Sequence, residues 1–141
     1  MKNLYLICNA HIDPVWLWTN ESGISATLST FRSAAKLADK YDYIFCHNEA
    51  LAYEWVEAYD PELFAEIKRL VKSGKWKIVG GWYLQPDCLI PSGDSIILQI
   101  EYGRKYFKEK FGVKPEIAYN VDSFGHSGGL PQILVKHGYR G

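Results

Sequence analysis

The chain of 141 residues carries 16 basic and 16 acidic side chains, which gives a formal net charge of zero. This balance provides no basic surface for a nucleic-acid backbone and no charged tail, so nucleic acid and membrane surfaces are poor candidates for partners. Hydrophobic residues make up 48% of the chain and aromatic residues 15%, which is enough to bury the core of one globular domain.

Four times along the chain, a short apolar segment leads through a polar loop into a segment with helical spacing. The predicted strands are 3–8, 43–46, 76–79 and 117–121. None of them alternates cleanly between apolar and polar residues, which is typical of parallel strands covered on both faces. The pattern predicts an α/β fold whose parallel sheet is built from βα repeats with right-handed crossovers.

The predicted helices are indicated by their apolar stripes and by the residues at their ends. One stripe consists of Ile24, Leu28, Phe31, Ala35 and Ala38, and a second of Leu63, Phe64, Ile67, Leu70 and Val71. Asp60 and Pro61 read as an N-cap and a first-turn proline, and Gly74 reads as a C-cap. A third helix is predicted over 92–111, with Ile96, Ile97, Ile100 and Phe107 facing inward and Gly112 closing it. A fourth is predicted over 130–137, closed by Gly138.

Four strands leave a sheet edge that a closed barrel would not have. We therefore expect residues 1–141 to be the N-terminal portion of a longer catalytic domain, and to be inactive alone. Cys8, Cys46 and Cys88 lie far apart in or near apolar segments, so buried free thiols are expected. With no membrane-spanning run and no signal cleavage site, the expected compartment is the cytoplasm.

The polar residues collect in the loops that follow the predicted strands, which is where parallel α/β folds bind ligands. These loops are 9–16, 47–49, 80–87 and 122–127. Because the carboxyl ends of parallel strands meet at one edge of the sheet, we expect the four loops to converge on one mouth.

His11 and Asp13 stand two residues apart in an extended segment, so their side chains point the same way and can hold one ion. A nitrogen and a carboxylate oxygen suit zinc or another divalent metal if other loops complete the ligand set. An isolated pair of this kind can also be a solvated turn. Asp122 follows the fourth predicted strand and faces the same mouth, although by itself it is also compatible with an Asx-turn.

Aromatic residues crowd the same loops, namely Trp16, Trp18, Trp82, Tyr83 and Phe124. Aromatic rings stack on the C–H faces of sugars, while carboxylates, amides or a metal bind the hydroxyl groups. No phosphate-binding glycine motif is present, so the mouth is interpreted as a carbohydrate pocket. Trp18, Trp55 and Trp76 are better candidates for the core than Trp16.

Three motifs resemble the N-terminal catalytic domain of family 38 glycoside hydrolases, the retaining α-mannosidases. They are the segments 11–16 (HIDPVW), 80–87 (GGWYLQPD) and 120–127 (NVDSFGHS). They occur in the expected order and cover nearly the whole chain.

The resemblance implies a seven-stranded β/α barrel that holds one zinc ion, with His11 and Asp13 as two ligands. It implies that Asp122 is both a ligand and the nucleophile, and that a second histidine ligand and the acid/base carboxylate lie beyond residue 141. It also implies that Trp16, Trp82 and Phe124 and the polar Asp87 contact a mannoside or a mannose-containing oligosaccharide.

Two other functions remain open at this point. A metal-dependent carbohydrate deacetylase uses a similar incomplete barrel, with the metal activating water, but such sites usually contain an HxxxH pair that this sequence lacks. A sugar-binding module without catalysis would need only the pocket.

Overall fold

The sheet at the centre of the fold has three parallel strands in the order β1-β2-β3. The computed structural model describes residues 2–141. Its strands are β1 (Cys8–Asn9), β2 (Phe45–Glu49) and β3 (Trp76–Trp82). Cys8 pairs with Phe45, and Phe45 pairs with Trp76, so the strands are aligned at their amino ends. The predicted α/β fold with a parallel sheet is confirmed.

The part of the chain that the structure describes contains five helices. They are α1 (Asn20–Lys40), α2 (Ala50–Tyr59), α3 (Pro61–Ser73), α4 (Gly93–Phe111) and α5 (Leu130–Lys136). The predicted ends of α3 are confirmed, because Asp60 Oδ1 accepts a 3.1 Å hydrogen bond from Leu63 N and Gly74 closes the helix at φ 84°. Gly112 closes α4 in the same way, at φ 69°.

The core consists of two clusters of buried side chains that share helix α4. The larger cluster packs helices α1 to α4 against the sheet, with the rings of Tyr53 and Trp76 each 5.2 Å edge-on from that of Phe31. Trp76 Nε1 donates a 2.8 Å hydrogen bond to the Tyr53 hydroxyl, which satisfies both buried polar groups. The smaller cluster consists of Trp82, Cys88, Ile96, Ile100, Leu130 and Tyr139. Helix α4 therefore couples the sheet to the C-terminal segment.

Helix α4 crosses β3 so closely that no side chain fits at Gly103. A Cβ atom there would collide with the main chain of Gly81, Trp82 and Tyr83. One turn earlier in α4, the Gln99 carbonyl accepts a 2.8 Å hydrogen bond from Tyr83 N. The loop that leaves β3 is therefore fixed to α4 from its first residue.

The strand boundaries differ from the prediction. Strand β1 is limited to Cys8–Asn9 because β2 begins opposite Cys8, at Phe45, and offers no partner to residues 3–7, so the side chains of residues 4–7 are exposed. Strands β2 and β3 continue beyond their predicted ends, to Glu49 and Trp82. The segment 47–49 therefore lies inside the sheet instead of in a loop.

The prediction of a fourth strand over 117–121 is wrong. This segment runs beside β3, and Gly80 N donates to Ile117 O at 2.9 Å. Gly80 and Gly81 have φ values of 66° and 79°, which interrupts the regular ladder. The Tyr119 carbonyl is instead bound by the side chains of Trp82 and Asn48. Isolated main-chain bonds and these two side chains, and not a regular strand ladder, hold this segment.

The sequence analysis does not predict helix α2, because no N-capping residue marks its start. It follows β2 without a loop, and its N-cap residue Glu49 makes no side-chain capping bond.

Replacing Gly103 by alanine should lower the free energy of unfolding by at least about 2 kcal/mol, because the new methyl group meets rigid main chain. The matched control is Gly93→Ala in the same helix, where a Cβ would make only an ordinary contact with the Ile133 side chain. Urea unfolding followed by tryptophan fluorescence measures both changes. Equal stability of the two variants would contradict the close packing.

Candidate active site

A cleft of about 320 Å³ opens at the carboxyl end of the sheet. It is lined by His11, Asp13, Val15, Trp16, Gln85, Pro86, Asp87, Cys88, Asp122, Ser123 and Phe124. Residues from three of the four predicted loops therefore meet there, whereas the sequence predicts that all four converge. The segment 47–49 does not line it, because those residues are buried within β2.

His11 and Asp13 project into the cleft because the residue between them is anchored in the core. Ile12 is buried, so the alternation of an extended chain turns its two neighbours the other way. His11 Nε2 lies 3.2 Å from Asp13 Oδ1. This arrangement agrees with the predicted pairing of the two side chains.

Asp122 approaches the same histidine from the other side of the cleft. Its Oδ2 atom lies 3.8 Å from His11 Nε2. The main chain of Asp122 is left-handed, with φ 53°, a conformation that aspartate tolerates better than most residues. Within residues 2–141 its carboxylate accepts no hydrogen bond and is 61% exposed, so the side chain is not consumed by an Asx-turn.

The donor types and spacings at this point suit a divalent cation. Two donors about 2.1 Å from one zinc ion at the tetrahedral angle are about 3.4 Å apart, and the two distances to His11 Nε2 bracket that value. Within residues 2–141, no group of three or more His, Cys, Asp or Glu side chains is arranged to hold a metal ion. His11, Asp13 and Asp122 supply ligand types that zinc accepts, and the two separations from His11 Nε2 are close to the spacing in a zinc site.

Two exposed aromatic rings stand on the cleft wall. Trp16 is 59% exposed and Phe124 is 80% exposed. Trp82, in contrast, is fully buried, and its Nε1 atom donates to the Tyr119 carbonyl at 3.1 Å. The prediction that Trp82 contacts a ligand is therefore wrong, because the longer β3 strand turns this ring into the core.

Asp87 lies on the cleft wall in a tight turn. Its Oδ1 atom accepts hydrogen bonds from Leu89 N at 2.7 Å and from Ile90 N at 2.9 Å. These main-chain donors lower the pKa of Asp87 and keep its carboxylate ionised.

A buried pair of titratable side chains, His47 and Glu49, was missed by the sequence analysis. His47 Nε2 lies 3.8 Å from Glu49 Oε2, and neither ring nitrogen of His47 has a hydrogen-bond partner in the described part of the chain. Burial lowers the pKa of His47 to about 4 and raises the pKa of Glu49 to about 7. The sequence could have indicated this pair, because both residues follow the apolar run 43–46 with no glycine or proline to end the strand.

Comparison with known proteins identifies the family of the chain. The family model described as "Glycosyl hydrolases family 38 N-terminal domain" matches residues 1–141. The chain belongs to this family. Its membership confirms the resemblance that the three motifs carry.

Relatives of this family 38 domain are found among curated α-mannosidases. The chain is 33% identical over 132 residues to "Alpha-mannosidase G" of Dictyostelium discoideum, which covers 93% of the chain and 12% of that protein. It is 30% identical over 133 residues to "Alpha-mannosidase 2C1" of Homo sapiens, which covers 94% of the chain and 13% of that protein. The chain thus spans about an eighth of the length of these relatives.

Solved structures share the fold of this family 38 domain. An α-mannosidase from Enterococcus faecalis V583 matches with a TM-score of 0.80 at 22% identity, over 92% of the chain and 15% of that structure. The 4-alpha-glucanotransferase of Thermococcus litoralis matches with a TM-score of 0.74 at 17% identity, over 95% of the chain and 21% of that structure. At these identities the likeness concerns the fold alone.

In residues 2–141, no helix is both long and apolar enough to cross a membrane.

The buried pair predicts opposite pH dependences of stability. Glu49 binds its proton more tightly in the folded state, so its contribution to stability falls as pH rises from about 4.5 to 7. His47 binds its proton less tightly when folded, so its contribution rises between about pH 4 and 6.5. The two slopes oppose each other over most of this range.

Glu49→Gln removes the pH dependence of stability that comes from Glu49, and it keeps the hydrogen-bond acceptor for Gln85 N. The free energy of unfolding of the variant, taken relative to that of the unmodified chain, should increase by about 3 kcal/mol as the pH is raised from 4 to 8. Urea unfolding at several pH values measures it, and Glu101→Gln on the exposed surface of α4 is the control. A constant difference across pH would contradict the burial of an ionisable Glu49.

Proposed function

We propose that this chain forms the metal-binding wall of the active site in a zinc-dependent retaining α-mannosidase. In this proposal it is the N-terminal portion of a seven-stranded β/α-barrel catalytic domain within a longer polypeptide. The observation that carries the proposal is that His11, Asp13 and Asp122 meet in one cleft. Membership of family 38 and the names of the curated relatives support α-mannosides as the substrate class.

Asp122 is the proposed nucleophile. Its exposed carboxylate attacks the anomeric carbon of the mannoside as the bond from that carbon to the leaving oxygen breaks, and a glycosyl ester forms on Asp122. A second carboxyl group, about 5 Å away in retaining enzymes, gives a proton to the leaving oxygen. It then takes a proton from the water that hydrolyses the ester, so the starting anomeric configuration is restored. In this proposal the second carboxyl group lies beyond residue 141.

His11, Asp13 and Asp122 would hold the zinc ion. When bound, the ion would supply a Lewis acid that orients the sugar hydroxyls and stabilises the charge that develops on the ring. The chain's own contribution is geometric, because buried Ile12 turns His11 and Asp13 into the cleft and Asp122 approaches His11 from the other side. Another divalent ion with the same preference for nitrogen and oxygen donors could occupy this position.

Trp16 and Phe124 are the proposed sugar-binding rings. Both are exposed on the cleft wall, where an aromatic face can pack against the C–H groups of mannose. Asp87 is proposed to accept hydrogen bonds from sugar hydroxyls, since its carboxylate stays ionised. Trp82 has no part in binding.

The cytoplasm is the proposed compartment. Cys8, Cys46 and Cys88 are free thiols, which is typical of proteins kept in a reducing environment.

Asp122→Asn should abolish turnover while leaving the fold intact, because asparagine accepts the same left-handed main chain but is a poor nucleophile. We expect kcat on p-nitrophenyl α-mannoside to fall by at least about 1,000-fold in the complete polypeptide that carries this chain. Asp42→Asn, on an exposed loop outside the cleft, is the matched control. Retention of activity by the Asp122 variant would exclude the proposed nucleophile. A deacetylase would instead release acetate from an acetylated sugar and leave the mannoside intact.

A further inference from the structure

The side chain of Gln85 binds the main chain of Val121 through two hydrogen bonds. Gln85 Nε2 donates to Val121 O at 2.6 Å, and Val121 N donates to Gln85 Oε1 at 3.0 Å. This pair reproduces with a side-chain amide what a neighbouring strand would offer to one residue. Val121 immediately precedes Asp122, so the pair acts on the peptide that carries the proposed nucleophile.

Gln85 is itself held by two buried residues of strand β2. Asn48 Nδ2 donates to Gln85 Oε1 at 3.0 Å and to the Tyr119 carbonyl at 3.2 Å. The Glu49 side chain accepts a 2.8 Å hydrogen bond from Gln85 N. Asn48 and Glu49 are each 2% exposed, so they are fixed in the sheet. The position of Val121 is therefore set by the core and not by the surface loop.

Asp122 depends on this arrangement of the main chain because no hydrogen bond within the described residues fixes its own side chain. Within residues 2–141 its carboxylate accepts no hydrogen bond, and its φ of 53° is a conformation that a free loop would readily leave. Main-chain hydrogen bonds hold Ile117 and Ala118, but no regular strand pairing extends from them to Asp122. A rotation of the Val121 peptide would move the carboxylate away from His11.

We propose that Gln85 is a positioning residue that orients the Asp122 carboxylate through the main chain of Val121. The proposal rests on the proposed function of Asp122 as the nucleophile. Gln85 does not touch the reacting atoms in this proposal. Gln85 keeps the Asp122 carboxylate in its reactive orientation for more of the time. Loss of the Gln85 side chain should therefore lower kcat more than it changes KM.

The test compares three variants in the complete polypeptide. Gln85→Met keeps the length of the side chain and removes both hydrogen bonds to Val121. Gln85→Glu keeps the acceptor for Val121 N and for Asn48, which protects the fold, but cannot donate to Val121 O. Gln132→Met, on the exposed surface of α5, is the matched control. For each variant we would measure kcat and KM on p-nitrophenyl α-mannoside and hydrogen exchange of the Val121 amide.

We expect Gln85→Met to lower kcat by about 100-fold and Gln85→Glu by at least about 10-fold, with KM within about 3-fold. We also expect faster exchange of the Val121 amide in Gln85→Met and no change in Gln132→Met. A Gln85→Met variant with kcat within about 3-fold of the unmodified enzyme overturns the proposal. If that variant does not fold, the same threshold applied to Gln85→Glu decides.

The two proposals fail in distinguishable ways. If the unmodified enzyme does not cleave the α-mannoside, the proposed function fails, and Val121 exchange alone decides whether Gln85 fixes this peptide. Unchanged exchange in Gln85→Met then overturns the positioning role, and faster exchange supports it.

Discussion

The geometry of the cleft depends on one interaction, the paired hydrogen bonds between the Gln85 amide and the main chain of Val121. The segment that carries Asp122 has no regular strand pairing, so its place relative to His11 would otherwise be loosely defined. A side-chain amide carries an N–H donor beside a carbonyl acceptor, so it can replace a strand partner at a single residue. This keeps the rest of the segment free to turn at Asp122.

The interaction works because Gln85 emerges from a loop that is tied down at every step. The amide nitrogens of Tyr83, Leu84 and Gln85 donate in turn to Gln99 O, Gln99 Oε1 and Glu49 Oε1. Three successive main-chain donors are thus held by helix α4 and strand β2. The absence of a side chain at Gly103 lets α4 come close enough to make the first of these bonds. Core packing is in this way transmitted to the wall of the cleft.

Features decided by neighbouring residues could be predicted from the sequence. The caps of α3 at Asp60 and Gly74 and the shared direction of His11 and Asp13 follow from local rules, and the structure agrees with both. The missing strand at 117–121 could not be predicted, because an apolar run looks the same whether a strand or distant side chains satisfy its main chain. Trp82 was misplaced for a related reason, since β3 continues through Gly80 and Gly81 and turns the ring inward.

The most direct test of the site is the position of zinc in crystals of the complete polypeptide, located by its anomalous scattering. We predict one peak bound by His11 Nε2 and by carboxylate oxygens of Asp13 and Asp122, each about 2.0 to 2.2 Å away. A zinc peak elsewhere, or an Asp122 carboxylate turned away from His11 in the metal-bound enzyme, would contradict the assignment.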